Sequence, residues 1–264
     1  METARRYRYL NAMGVSVWCR RAAPREPPAP AAQEAAAAGD RPLPATAVER
    51  RTSLPDAPPS LSVSSPVAGQ GPAIATMDWE ALQHAVRECR ACPLCETRTQ
   101  TVFGTGNRHA DLMLIGEAPG ADEDRVGEPF VGRAGQLLTL MLQAIGLSRD
   151  QVFIANILKC RPPGNRDPRP EEAASCEPYL LRQIVLISPK VILSLGRISA
   201  QTLLRTDTSI GRLRGRWHQF GQTGHPLYVT YHPAYLLRSP AQKAAAWQDL
   251  LAVRRRLLEP PRET

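Results

Sequence analysis

From Asp78 onward, short apolar runs alternate with amphipathic stretches, and this alternation constrains the fold more than any other feature of the chain. Asp111-Leu112-Met113-Leu114-Ile115, Val152 to Ile157, Val191 to Leu195 and Leu227 to Tyr231 have the length and aliphatic content of buried strands. Helical patterns lie between and around them. Asp78 can cap a helix through about Glu88, with Trp79, Leu82 and Val86 at helical spacing. Residues 134 to 145 carry Leu137, Leu138, Leu140, Met141 and Ile145, and stop at Gly146. Pro170 opens a helix to about Ile187, with Glu171 and Glu172 in its first turn. A helix over 197 to 204 follows Gly196, and a last one runs from Pro240 to about Leu258. Such β–α alternation predicts an α/β fold of three layers, α/β/α, with a central four-stranded parallel sheet.

The sequence upstream is of another kind. Residues 24 to 76 are rich in proline, alanine and serine and keep neither a helical nor a strand period. A stretch of that composition buries too little apolar surface to offset its ordering entropy, so it reads as a disordered linker. Residues 1 to 23 form a short basic and aromatic segment, with Tyr7, Tyr9, Leu10, Met13, Val15, Val17 and Trp18 among arginines. Residues 77 to 264 make the folded domain, and Met77 is an alternative start. The whole chain carries a net charge of +8, of which +5 falls on residues 77 to 264. A basic domain suits a polyanionic partner such as nucleic acid. No apolar run is long enough for a membrane helix, and no apolar run follows the first arginines as in a secretory signal. The expected location is therefore the cytosol.

In that compartment the six cysteines favour metal ligation or reactive chemistry over disulfides. Cys89 and Cys92 sit in Cys89-Arg90-Ala91-Cys92-Pro93-Leu94-Cys95, a spacing that lets two thiolates reach one site from a single turn. Cys160 follows a strand and Cys176 falls within a helix. Four such ligands suit either zinc or a 4Fe–4S cluster, and buried free thiols are the plainer alternative. Cys95 is a further candidate, whereas Cys19 lies outside the compact part.

Polar motifs recur where strands end. Gly116-Glu117-Ala118-Pro119-Gly120 follows the first strand, Asn156 lies at the end of the second, and His232 follows the fourth. In open parallel sheets, ligands bind outside the carboxyl ends of the strands, so these three positions converge on one crevice. Phe130, in Gly127-Glu128-Pro129-Phe130-Val131-Gly132, is either core or a stacking platform. Taken singly, each position also has a structural reading: a tight turn, a capping Asn, a surface His.

These motifs in this order resemble family 4 uracil-DNA glycosylases, the bacterial and archaeal type that carries a 4Fe–4S cluster. The likeness covers residues 77 to 258. It includes Val102-Phe103-Gly104-Thr105-Gly106, Gly116 to Gly120 through Glu123-Asp124, Pro129 to Gly132, Asn156-Ile157-Leu158-Lys159-Cys160-Arg161-Pro162-Pro163, and His232-Pro233-Ala234-Tyr235-Leu236-Leu237-Arg238. The resemblance implies a uracil-DNA glycosylase-like fold and monofunctional excision of uracil from single- or double-stranded DNA as the first step of base excision repair. It implies Cys89, Cys92, Cys160 and Cys176 as cluster ligands, with Cys95 a bystander. It makes Phe130 the ring that stacks on the flipped uracil, Asn156 the amide that reads its edge, and His232 the group that stabilises negative charge at uracil O2. Backbone around Gly116, Glu117 and Ala118 would help hold the base, and Leu236, Leu237 and Arg238 would form the loop that enters the duplex. Ala118 stands where the best-known uracil glycosylases place a water-binding aspartate, which leaves Glu117 and Glu123 as candidates to position water. Residues 159 to 176 hold no histidine, so the covalent DNA linkage of a related branch is not expected.

Residues 7 to 18 have a resemblance of their own. Tyr9-Leu10-Asn11-Ala12-Met13-Gly14-Val15-Ser16-Val17-Trp18 is similar to the start of the psi subunit of bacterial DNA polymerase III, a segment that docks on the clamp loader. A tethered peptide of that kind would raise the local concentration of the domain at a replication fork. The expectation is a monomeric bacterial protein of the cytosol and nucleoid with no membrane partner. The rival reading is a non-catalytic iron–sulfur DNA-binding or replication-associated protein of the same fold.

Overall fold

The structure, a computed structural model, describes residue 11, residues 74–221 and residues 224–259. The expectations for residues 1 to 23, and for nearly all of the linker, fall outside the described residues. The description resumes three residues before Met77, at a 3-10 turn over Ile74–Thr76. Ile74 and Met77 pack against the cluster around Leu82 and Phe103.

Six strands form one sheet: β1 (Thr105–Gly106), β2 (Leu112–Gly116), β3 (Phe153–Asn156), β4 (Val191–Leu195), β5 (Trp217–Phe220) and β6 (His225–Thr230), in the order β1-β3-β2-β4-β6-β5. The inner four are parallel, as predicted. The two outer strands, β1 and β5, are antiparallel additions that the sequence pattern does not announce. Thr105–Gly106 is too short to show a period. β5 reads Trp-His-Gln-Phe and is largely solvated, so it lacks the aliphatic run that marks the inner strands.

Alternate residues of the inner strands face opposite cores, the two-residue period of a strand buried on both sides. Leu112, Leu114, Ile154, Leu193 and Tyr228 pack on one face with Leu138, Met141, Trp247 and Leu250. Met113, Ile115, Phe153, Ile192 and Val229 pack on the other with Leu180, Ile184 and Leu203. The first face is covered by α4 (Arg133–Ala144), α8 (Pro233–Arg238) and α9 (Lys243–Leu258). The second is covered by α5 (Pro170–Ile187), α6 (Arg197–Leu204) and α7 (Ile210–Leu213). The three-layer α/β/α arrangement follows.

The helix termini carry the signals read from sequence. In α1 (Trp79–Arg87) the Asp78 carboxylate accepts from Ala81 N at 2.8 Å, and Leu82 and Val86 are buried. Such a cap stabilises by about 1 kcal/mol. At α5, Pro170 occupies the first turn and Glu172 accepts from Arg169 N at 2.9 Å. The last helix starts at Lys243 rather than Pro240, because Pro240–Gln242 form a 3-10 turn. Two further short helices, α2 (Leu94–Thr97) and α3 (Ala121–Val126), follow the cysteine pair and the Gly116–Gly120 motif respectively.

Candidate active site and cysteine pocket

A cleft of about 740 Å³ opens at the carboxyl ends of the parallel strands. Glu117 reaches it from β2, Asn156 from β3 and His232 from β6, and Phe130 closes one wall. The convergence expected from the strand-end rule is what the fold produces. A fourth strand end also contributes, with Gly196 and Arg197 after β4. Gly196 has φ +98, and a Cβ there would come within 2.8 Å of the His232 Cβ. The histidine therefore lies against bare backbone.

Asn156 is 2% exposed and is the Cα partner of Gly116 across the β2–β3 pair. Its Oδ1 is buried and has no hydrogen-bond partner in the protein. An unpaired buried acceptor costs about 1–3 kcal/mol, so it marks a place where a donor is missing. A Cβ on Gly116 would run into that oxygen and come within 2.7 Å of the Phe130 ring. Glycine here keeps the slot between amide and ring open.

Phe130 has φ +56, a conformation that costs a non-glycine residue about 1–3 kcal/mol. The surroundings hold it there. Glu123 Oε1 accepts from Val131 N at 2.9 Å and Gly132 N at 3.1 Å, while Oε2 accepts from Gly120 N at 3.1 Å. On the other side, Arg149 Nη2 donates to Pro129 O at 2.8 Å. Both oxygens of Glu123 are thus engaged with backbone. Its expected part in placing water is corrected to that of a clasp joining the Gly120 turn to the Phe130 loop.

His232 caps α8: its Nδ1 accepts from Ala234 N at 3.1 Å. With Nδ1 an acceptor, the proton of the neutral ring sits on Nε2. Burial, and secondarily the charge of Arg238, pulls the imidazole down to about 4. The ring lies 5.6 Å from that of Phe130, tilted by 32°. Glu117 is shifted the other way. Burial, then the nearby Asp167 carboxylate, lifts it to about 7 against the opposing pull of Arg197. Arg166, Arg197 and Arg238 stand around the mouth, with Arg197 Nη2 paired to Asp167 at 2.8 Å. Cations at a cleft mouth suit phosphate contacts.

The expected duplex-entering loop is in fact the helix α8, and one of its three residues is misplaced in the sequence reading. Leu236 is 1% exposed and packs in the core beside Leu137 and Met141. It faces inward because Pro233 starts a helix, whose period puts successive residues on different faces. Leu237, 37% exposed, and Arg238 point outward.

The cysteines gather behind Asn156. Cys89, Cys92, Cys95, Cys160 and Cys176 line one pocket with Arg98, Lys159 and Tyr179. Among the described residues, no three His, Cys, Asp or Glu side chains draw together as a single metal ion requires. Cys160 accepts from Arg98 Nη1 at 3.0 Å and Cys176 from the Lys159 amide at 3.3 Å. Burial raises both thiols, Cys176 to about 12. Arg98 also donates to Cys89 O at 2.8 Å. Neither Arg98 nor Arg149 stands out in the sequence, since each acts on residues distant in the chain.

Fold and site together define an α/β protein with a cleft at its strand ends that holds a buried amide beside an aromatic ring. The model of the uracil DNA glycosylase superfamily matches residues 103–251. A type-4 uracil-DNA glycosylase of Archaeoglobus fulgidus is 49% identical over 170 residues, which is 61% of this chain and 85% of that one. One of Saccharolobus solfataricus is 45% identical over 67% of this chain and 85% of its own length. One of Thermotoga maritima is 44% identical over 61% and 83%. This chain belongs to the uracil-DNA glycosylase superfamily and, within it, to the type-4 group.

Proposed function

We propose that this protein removes uracil from DNA by hydrolysing the N-glycosidic bond, leaving an abasic site for base excision repair. The observation that carries the assignment is the orphaned Asn156 Oδ1 at the floor of the slot. Uracil N3–H is the donor it lacks, and uracil O4 beside it can accept from the same amide group. With the amide held in this orientation, cytosine would set its bare N3 against Oδ1 and its N4 amino donor against the amide NH2, leaving both unpaired. A site built on one hydrogen-bond pattern rejects the other strongly.

Extruding the nucleotide costs a few kcal/mol, which stacking on Phe130 and edge pairing with Asn156 offset. Leu237 and Arg238 face outward where the emptied duplex would lie. As the bond breaks, negative charge gathers on uracil O2, and the Nε2–H of neutral His232 is the donor for it. A preorganised donor of this kind is worth about 3 kcal/mol, because it gains strength only as charge develops. Glu117, ionised above about pH 7, orients the attacking water and faces the cationic sugar. Ala118 has no side-chain group for that role.

Cys89, Cys92, Cys160 and Cys176 hold a 4Fe–4S cluster. They line one pocket, and the Arg98 guanidinium and the Lys159 amide, which donate to Cys160 and Cys176, fit the negative charge of thiolate ligands. The cluster cross-links α1, the loop after β3, and α5, and supplies no chemistry at the base. Three further parts of the proposal rest on sequence alone: residues 7 to 18 contact the clamp loader, the protein acts as a monomer, and it works in the bacterial cytosol and nucleoid.

The test is a gel assay on an oligonucleotide with one uracil, followed by alkali. Strand cleavage at the uracil supports the reading. A purified, brown, folded protein that binds DNA without making abasic sites would favour the non-catalytic alternative.

A further inference from the structure

Lys159 is 2% exposed, and its ammonium reaches two neutral oxygens: Asn156 O at 2.9 Å and Gln183 Oε1 at 2.6 Å. Gln183 is itself fully buried in α5 and passes the chain on, donating from Nε2 to Phe103 O at 2.9 Å. The Lys159 peptide is held at both ends too. Its amide donates to Cys176 Sγ at 3.3 Å and its carbonyl accepts from Val102 N at 2.8 Å. Burying an ammonium with no carboxylate is expensive, and an apolar residue of similar volume is often as stable or more so. Packing alone therefore does not account for a lysine here.

We infer that Lys159 is the positioning residue of the base-reading amide, tying the Asn156 backbone to α5 through Gln183 while its own peptide is tied to Cys176. The site that reads the base and the site that holds the cysteines then share one strut. Asn156 is the last residue of β3, and the two amides after it still donate across to the β2 segment, Ile157 N to Gly116 O and Leu158 N to Glu117 O, each at 3.0 Å. Its carbonyl is fixed not by another strand but by the ammonium. An amide fixed to within a fraction of an ångström pre-pays the ordering that uracil would otherwise have to impose. The inference rests on the uracil reading above.

The experiment compares Lys159→Met with Gln183→Leu, each in the full chain. Gln183→Leu disturbs the same buried network but leaves the Lys159–Asn156 contact. Binding of free uracil is measured through product inhibition and by direct titration, together with melting temperature and visible absorbance per chain. Gln183→Leu should melt lower, whereas Lys159→Met should melt near wild type, because an apolar side chain of similar volume replaces an ammonium that no carboxylate balances. Only Lys159→Met should weaken free-uracil binding, by about tenfold, the equivalent of roughly one hydrogen bond, and its visible absorbance should be retained. Uracil binding that is unchanged in Lys159→Met, or that falls in both variants in step with melting temperature, would overturn the inference. Should Lys159→Met fail to fold, Lys159→Gln takes its place. Failure of both while Gln183→Leu folds would make the lysine a folding element and overturn the inference as well. A wild-type protein inactive on uracil-containing DNA would instead refute the uracil reading.

Discussion

Two titratable groups in the cleft are pushed in opposite directions, the separation that the proposed acid–base roles require. His232 falls to about 4 because burial disfavours its charged form, so it is a neutral donor across the working range. Glu117 rises to about 7 because the same burial disfavours its charge. Excision under single-turnover conditions should therefore rise with pH through about 7 and level off above it, with no limb from the imidazole. Glu117→Gln should abolish that limb and lower the plateau. The folded state binds the Glu117 proton more tightly than the unfolded chain does, so its ionisation costs stability as pH rises from the ordinary carboxylate range through about 7. Glu117→Gln should consequently melt no lower than wild type at pH 8, which separates lost chemistry from lost folding. A rate that is flat from pH 6 to pH 9 in wild type would remove Glu117 from the chemistry.

At the scale of elements, the strand ends were legible because each inner strand is an aliphatic run closed by a polar or glycine residue. Asn156 and His232 thus fall at strand ends by their sequence pattern alone. What the sequence did not show was the set of contacts between distant segments. Glu123 clasps a loop eight and nine residues away, Arg98 reaches Cys160, and Arg149 pins Pro129. None has a periodicity or a motif of its own. Leu236 was misjudged because a motif states order in sequence but not which face of a helix a residue takes. The cysteine pairs stand out in the sequence, yet the pocket they share joins segments far apart in the chain. Loss of one ligand should therefore loosen all of them. Cys160→Ala and Cys176→Ala should lose the brown colour and melt several degrees lower, on the scale of a few kcal/mol for a domain of this size. Cys95 lines the same pocket, and Cys95→Ala should keep both colour and melting temperature. Loss of colour in Cys95→Ala would show that the ligand set is different.

At the scale of the whole molecule, the site, the cysteine pocket and both faces of the sheet are built from residues 74 to 259. Removing residues 1 to 73 should leave the excision rate on short oligonucleotides within about twofold, because the described residues that line the cleft lie between Glu117 and Arg238. A tenfold loss of turnover in the shortened chain would contradict this. The basic residues around the cleft mouth belong to the domain itself, so binding to DNA should weaken with salt in either form. The central claim is that an orphaned amide oxygen at one strand end selects uracil. It is tested most directly by single-turnover excision on paired oligonucleotides, identical except for uracil or cytosine at one position, with wild type and Asn156→Asp. Wild type should cut only the uracil strand, and Asn156→Asp should lose that activity while keeping its fold and colour. Equal uracil excision by Asn156→Asp and wild type would contradict the account.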